Sequence, residues 1–182
     1  MANIILVTGG ARSGKSAYSE TLAKSFSGSR AYIATCPIMD EEMARRVERH
    51  RQQRKNDGWI TIEEELDLAG VIRQSAQYDT ILVDCLTLWI NNLMYHAERA
   101  GDRVSEERMM EICADLKLAC MAHPGNIIFV INEVGLGIVP DNAQARLFRD
   151  LSGRCSQEIA GFAAKVALVA CGIPLILKDE QK

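Results

Sequence analysis

Gly9-Gly10-Ala11-Arg12-Ser13-Gly14-Lys15-Ser16 fits the spacing G-x-x-x-x-G-K-[ST], and it stands between an apolar run, Ile4 to Val7, and a helical pattern beginning near Lys15. That context calls for a strand, a tight loop and a helix in succession. Glycine lets the backbone wrap closely enough for its N–H groups to converge on phosphate oxygens, and the helix N-terminus adds a favourable dipole. Lys15 is expected to reach the β- and γ-phosphates and Ser16 to ligate Mg2+. A glycine-rich turn that merely contains Lys-Ser would carry the same letters. The strand before and the helix after favour the phosphate-binding reading, so all eight residues are candidate nucleotide contacts.

A parallel sheet follows from the rest of the chain. Residues 3–8, 31–34, 80–83, 126–131 and 165–170 are short runs apolar at nearly every position, which suits strands covered on both faces. Helical patterns near residues 15–26, 41–55, 66–76, 86–97, 105–122 and 142–163 suit parallel crossovers. Residues 59–63 and 174–178 read as short edge strands, and residues 179–182 as a loose tail. The expected fold is α/β: a P-loop NTPase-like, doubly wound, mostly parallel sheet with flanking helices. At 182 residues and 48% hydrophobic content, a single nucleotide-binding domain over residues 1–182 is expected.

Composition narrows the partners. A net charge of −3 and a pI near 5.7 give no global attraction to nucleic acid or anionic membrane. No apolar stretch approaches the roughly 18 residues of a membrane span, and the opening run is too short for a signal segment. The six cysteines, Cys36, Cys85, Cys113, Cys120, Cys155 and Cys171, are scattered, with no C-x-x-C pair. A cytoplasmic protein without disulfide framework, zinc site or membrane span is expected.

An Mg2+ ion at Ser16 calls for a carboxylate at the end of a neighbouring strand. Asp84 and Glu133 both follow apolar runs, and Asp84 is the better Walker-B-like candidate. Arg46, His50 and Arg54 fall at i, i+4, i+8 on one helical stripe. Flanking guanidinium groups disfavour the imidazolium, leaving the ring neutral near pH 7 as a nucleophile or base, and the same arginines suit a triphosphate. On residues alone, a solvated basic face or a nucleic-acid contact, with the histidine incidental, is the simpler reading. His96 lies near a helix end and His123 precedes Pro124 in a turn. Residues 132–140 place a glycine-bearing loop at a strand's carboxyl end, where open α/β sheets bind ligands; it lines a second substrate site or merely connects. Arg146, Arg149 and Arg154 read as phosphate contacts or, more simply, as surface charge, and Met109, Met110, Ile112, Cys113, Leu116 and Cys120 as core packing.

Several segments stand in a particular order along the chain. They are Ile5 through Ser16, Tyr32-Ile-Ala-Thr35, Asp40-Glu-Glu-Met43 leading to Arg49-His-Arg51, and Val83-Asp-Cys-Leu-Thr-Leu-Trp89. They continue with Asn132-Glu-Val-Gly135, Ile138-Val-Pro140, Phe148-Arg-Asp150 and Gly172-Ile-Pro-Leu-Ile-Leu-Lys178. Over nearly the whole chain this ordered set resembles the bifunctional adenosylcobinamide kinase and adenosylcobinamide-phosphate guanylyltransferase family of cobalamin assembly. Ser156 departs from the pattern, where asparagine is expected.

The resemblance implies phosphorylation of adenosylcobinamide by ATP or GTP, then transfer of GMP from GTP to that phosphate through a covalent GMP-histidine at His50. It places Ala34, Thr35, Arg51, Gln52, Gln53, Arg54, Glu63 and Asp84 around the guanine nucleotide, Ser16 and Asp84 on Mg2+, and implies a homo-oligomer. A neutral imidazole can attack the α-phosphorus while arginines and Mg2+ stabilise departing pyrophosphate. Two competing readings remain at this level. One is a different small-molecule kinase in which His50 is incidental. The other is a non-catalytic nucleotide-binding module that contacts nucleic acid through residues 45–55.

Overall fold

The computed structural model describes residues 2–37, 48, 52 and 57–180. β1 (Asn3–Gly9) leads through the glycine loop into α1 (Lys15–Ser25), followed by β2 (Arg30–Ala34) and β3 (Trp59–Glu63). The chain continues as α2 (Leu68–Gln74), β4 (Thr80–Asp84), α3 (Leu86–Arg99), α4 (Glu106–Ala122), β5 (Asn126–Asn132), α5 (Ala143–Phe162), β6 (Lys165–Ala170) and β7 (Ile173–Asp179). The strands form one seven-stranded sheet in the order β3-β2-β4-β5-β1-β6-β7, parallel throughout except for the antiparallel β6–β7 pair. The expected α/β fold, a mostly parallel sheet with flanking helices, is what the chain adopts.

Runs apolar at every position make sense once both faces are covered. Ile4, Leu6, Ile33, Ile81, Val83, Ile127 and Phe129 turn to one face and pack with Ile72, Trp89, Leu116 and Ile159 of the helices on that side. Ile5, Val7, Tyr32, Leu82, Ile128 and Val130 turn to the other and pack with Ala23 of α1. The period of two along each strand sorts the residues, so α2 to α5 cover one face and α1 lies on the other.

Helix starts follow local polar chemistry. Asp67, Ser105 and Asn142 accept from the N–H groups of Gly70, Arg108 and Ala145 and so cap α2, α4 and α5. The helix expected from residue 66 begins at Leu68 instead, because Glu64 Oε1 takes the N–H groups of both Leu66 and Asp67 at 2.8 Å and Asp67 becomes the cap. The expected loose tail is partly tied: Asp179 ends β7 and pairs with Lys165 at 3.5 Å, and Glu180 N donates to Ala164 O at 2.9 Å. Met110 is not core. It is 44% exposed while Met109 is fully buried, since adjacent helical residues point about 100° apart. The helix expected over residues 41–55 lies outside the described residues, save for Glu48 and Gln52, which are helical. Among the described residues no helix is long and apolar enough to cross a membrane.

Candidate active site

The glycine loop is built against the β6–β7 turn. Gly14, the N-cap of α1, has φ +93, and a Cβ there would lie 2.9 Å from the Cα of Gly172. A Cβ at Gly9 would run into the carbonyl oxygen of Val169. Both positions therefore need glycine for close approach, and at Gly14 for the left-handed backbone as well. Gly172 N donates to Ser13 O at 2.7 Å, and Ser13 N to Gly10 O at 3.2 Å, which closes the loop on itself. α1 begins without a side-chain cap, so its first N–H groups stay available to an anion. Lys15 is only 8% exposed and its Nζ donates to Gly10 O at 3.1 Å, spanning the loop. Ser13 Oγ is buried without a hydrogen-bond partner among the described residues, Ser16 is half-buried, and Gly10, Ala11 and Arg12 are exposed.

The parallel register lines up the second group of residues. Glu63 lies opposite Ala34, Ala34 opposite Asp84, Asp84 opposite Val130, and Val130 opposite Val7. This row crosses the carboxyl end of the sheet two residues short of Gly9. Its members share the parity of Tyr32, Leu82 and Val7, which face α1. Glu63, Ala34, Asp84 and the glycine loop are thus brought to one edge and one face.

Local hydrogen bonds fix that edge. Tyr32 donates its hydroxyl to Asp84 Oδ2 at 2.8 Å. Thr35 is fully buried, and its hydroxyl donates to Cys85 O at 2.8 Å and accepts from Cys85 N at 2.9 Å. Asn92 Nδ2 donates to Thr35 O at 2.8 Å. The Thr35 side chain therefore ties the ends of β2 and β4 together. Glu133 N donates to Gly9 O at 3.0 Å, and its carboxylate turns back to accept from Gly135 N at 2.6 Å.

Of the remaining sequence candidates, Gln52 is exposed and donates to Glu48 at 3.1 Å. His50, Arg51, Gln53 and Arg54 lie outside the described residues. His123 is buried; its Nδ1 accepts from Gly125 N at 3.1 Å, so its Nε2 carries the proton toward Ser75 O at 3.2 Å, a packing role.

The sequence gives Tyr32 no role of its own and leaves Arg146 and Arg149 as surface charge; the structure gives all three a partner. Tyr32 sits two positions before Ala34 on the same strand face, a relationship that shows only once β2 and β4 are known to pair. Arg149 donates to Gly135 O at 2.6 Å and Gly137 O at 3.2 Å, and Arg146 to Pro140 O at 2.9 Å and Asp141 O at 2.7 Å. Helical side chains tilt toward the N-terminus, so arginines in the first two turns of α5 reach back onto the preceding loop. That tilt was the available signal. Arg154 pairs with Glu106 at 3.1 Å, as surface charge does.

The sequence profile described as "Cobinamide kinase / cobinamide phosphate guanyltransferase" matches residues 5–177. The "Bifunctional adenosylcobalamin biosynthesis protein CobU" of Escherichia coli (strain K12) is 40% identical over 184 residues, covering 96% of this chain and 99% of the relative. The "Bifunctional adenosylcobalamin biosynthesis protein CobP" of Pseudomonas aeruginosa is 40% identical over 176 residues, covering 96% and 97%. The protein of Salmonella typhimurium that also carries the CobU name is 39% identical over 182 residues, covering 96% and 99%.

Proposed function

The chain belongs to the cobinamide kinase / cobinamide phosphate guanyltransferase family and is a transferase; from that premise we propose that it phosphorylates adenosylcobinamide with ATP or GTP and then transfers GMP from GTP to the product, through a covalent GMP-histidine at His50. The products are a nucleoside diphosphate from the first transfer and adenosylcobinamide-GDP with pyrophosphate from the second. The supporting observation is the shared edge, with the glycine loop, Ala34, Asp84 and Glu63 at the carboxyl ends of their strands on the face that carries α1.

In the first step the aminopropanol hydroxyl oxygen attacks the γ-phosphorus, the bond to the β–γ bridging oxygen breaks, and the nucleoside diphosphate leaves while the hydroxyl proton passes to solvent. The uncapped start of α1 and the loop N–H groups hold the phosphates. Phosphate oxygens displace Gly10 O from Lys15 Nζ, which moves its charge onto the β- and γ-groups.

In the second step an imidazole nitrogen of His50 attacks the α-phosphorus of GTP and pyrophosphate departs. An oxygen of the corrinoid phosphate then attacks the same phosphorus, the P–N bond breaks, and the ring returns to its neutral form. Arg51 and Arg54 balance the developing charge, and Gln52 and Gln53 contact the nucleotide. Glu63 accepts from the guanine N1–H and N2 amine, a role that requires a carboxylate.

Hard oxygen donors at Ser16 and Asp84 suit Mg2+. No three His, Cys, Asp or Glu side chains converge among the described residues, so phosphate and water would complete the shell, as this ion prefers. When bound, the ion neutralises charge on the leaving phosphates. Asp84 is the better carboxylate because Tyr32 orients it, whereas Glu133 is folded onto Gly135 N.

The deciding experiment is incubation with Mg2+ and GTP labelled at the α-phosphate, followed by alkaline denaturation. Acid-labile label on the wild type, absent from His50→Ala, is expected. A folded, nucleotide-binding wild type that takes no label would remove the histidine intermediate and leave a simple kinase. The same reading carries a cytoplasmic homo-oligomer without nucleic-acid partners.

A further inference from the structure

The loop after β5 stands beside the phosphate site, yet the nucleotide chemistry has no use for its side chains. Leu136, Ile138 and Val139 are 87%, 97% and 62% exposed. Their backbone is nevertheless held, by Arg149 on Gly135 O and Gly137 O and by Arg146 on Pro140 O and Asp141 O. Large aliphatic side chains presented to solvent on a fixed backbone lose little freedom when covered, which is how a preformed binding surface is made.

Position and surroundings narrow the occupant. Asn132 lies opposite Gly9 in the register, and Glu133 N bonds Gly9 O at 3.0 Å, so a molecule on this loop has one end near the terminal phosphate. At the loop's base is a cavity of about 310 Å³ whose lining includes Gly135, Arg149, Asp150, Gly153, Arg154 and Gln157. The surface is thus apolar at its tip and polar at its base. Nucleotides do not match it, because three aliphatic side chains offer no hydrogen bond to a base or sugar. A second copy of the chain would cover these side chains only as part of an interface of roughly 800 Å² per partner, and solution mass tells that occupant apart from a small molecule.

A corrinoid does match. Its macrocycle is a broad face studded with methyl groups, and its rim carries uncharged amide arms. Resting on the function proposed above, the geometry points to residues 135–140 as the platform for the acceptor's corrin ring. Leu136, Ile138 and Val139 lie against the ring, and the hollow beside Arg149 receives amide arms. Arg149 and Arg146 are positioning residues that hold the platform.

The test is equilibrium dialysis of cobinamide, read by its corrin absorbance in the presence of a non-hydrolysable GTP analogue, with solution mass and melting measured in parallel. Wild type is compared with the double variant Leu136→Ser, Ile138→Ser, with Leu136→Met, Ile138→Met, and with Arg149→Met. The serine variant is expected to weaken cobinamide binding about tenfold or more at unchanged mass, roughly the factor that corresponds to loss of a good apolar contact. The methionine variant keeps most of the binding, and Arg149→Met falls between. Wild type and serine variant binding equally would overturn the platform and leave the proposed function standing. A wild type that binds no cobinamide would overturn both. A change of mass in the serine variant would make the loop an interface between copies and overturn the inference.

Discussion

Tyr32 on β2 donates its hydroxyl to Asp84 Oδ2 on β4 at 2.8 Å, along the diagonal created by the pairing of Ala34 with Asp84. The ring is buried and stands edge-on to Trp59 at 6.0 Å between centroids, so the donor cannot easily turn away. Tyr32→Phe is expected to fold and to lower turnover about tenfold, with a higher Mg2+ concentration needed for half-maximal rate, because a charge-assisted hydrogen bond contributes about 1.5–3 kcal/mol. Initial rates across an Mg2+ series decide it. An unaltered series would leave the tyrosine a packing residue.

The two strand-end carboxylates should respond differently. Asp84→Asn is expected to reduce kcat for both transfers by about 100-fold or more, the scale of losing one transition-state charge contact. Glu133→Gln should cost less than about threefold, since a glutamine carbonyl can still accept from Gly135 N, where the carboxylate now sits at 2.6 Å. Equal losses would leave the proposed Mg2+ role shared between the two carboxylates.

Gly14→Ala tests the fit of the glycine loop. The new Cβ would stand 2.9 Å from Gly172 Cα, a backbone atom, at φ +93. A loss of about 2 kcal/mol in stability is expected, together with loss of nucleotide binding. Thermal melting and titration with a fluorescent GTP analogue measure the two effects. Wild-type values in both would show that the β6–β7 turn yields freely.

Acid sensitivity should trace partly to Asp79. The backbone N–H of Ser29 at 2.7 Å and its hydroxyl at 2.9 Å hold the carboxylate in its charged form and lower its pKa below the ordinary value. A folded-state pKa below the unfolded one contributes stability above the unfolded value, about 3.9, and that stability is lost as pH falls through the folded value. Asp79→Asn should therefore be less stable than wild type near neutral pH, with the gap closing below about pH 4. Urea midpoints at pH 6 and pH 3 measure it, and a gap of constant size would assign the effect to something other than charge.

The five inner strands were legible because they are apolar at nearly every position, which needs no knowledge of partners. The glycine loop was legible because its chemistry is local, a strand end, two constrained glycines and a helix start within one short segment. Tyr32 was not, since its bond to Asp84 depends on which strands pair and in what register. Arg146 and Arg149 were read as surface charge because their acceptors are backbone carbonyls, which have no letter in a sequence. Thr35 was named as a nucleotide contact, and the structure brings it to the edge, but its hydroxyl is occupied on both sides by Cys85. His50 was singled out by the order of the segments around it; helical spacing alone favoured an incidental histidine, and the residue lies outside the described ones.

The support that Gly172 gives to Ser13 bears on how the protein comes into being. β1 comes first among the described strands, yet it is flanked by β5 and β6, and its loop is closed by the turn that precedes β7. The candidate edge therefore joins the first of the described strands to the turn before the last of them, a contact between segments far apart in the sequence that forms only once the central strands have paired. A growing polypeptide on the ribosome would carry the glycine-loop letters well before Gly172 is made, and so before the loop has that support.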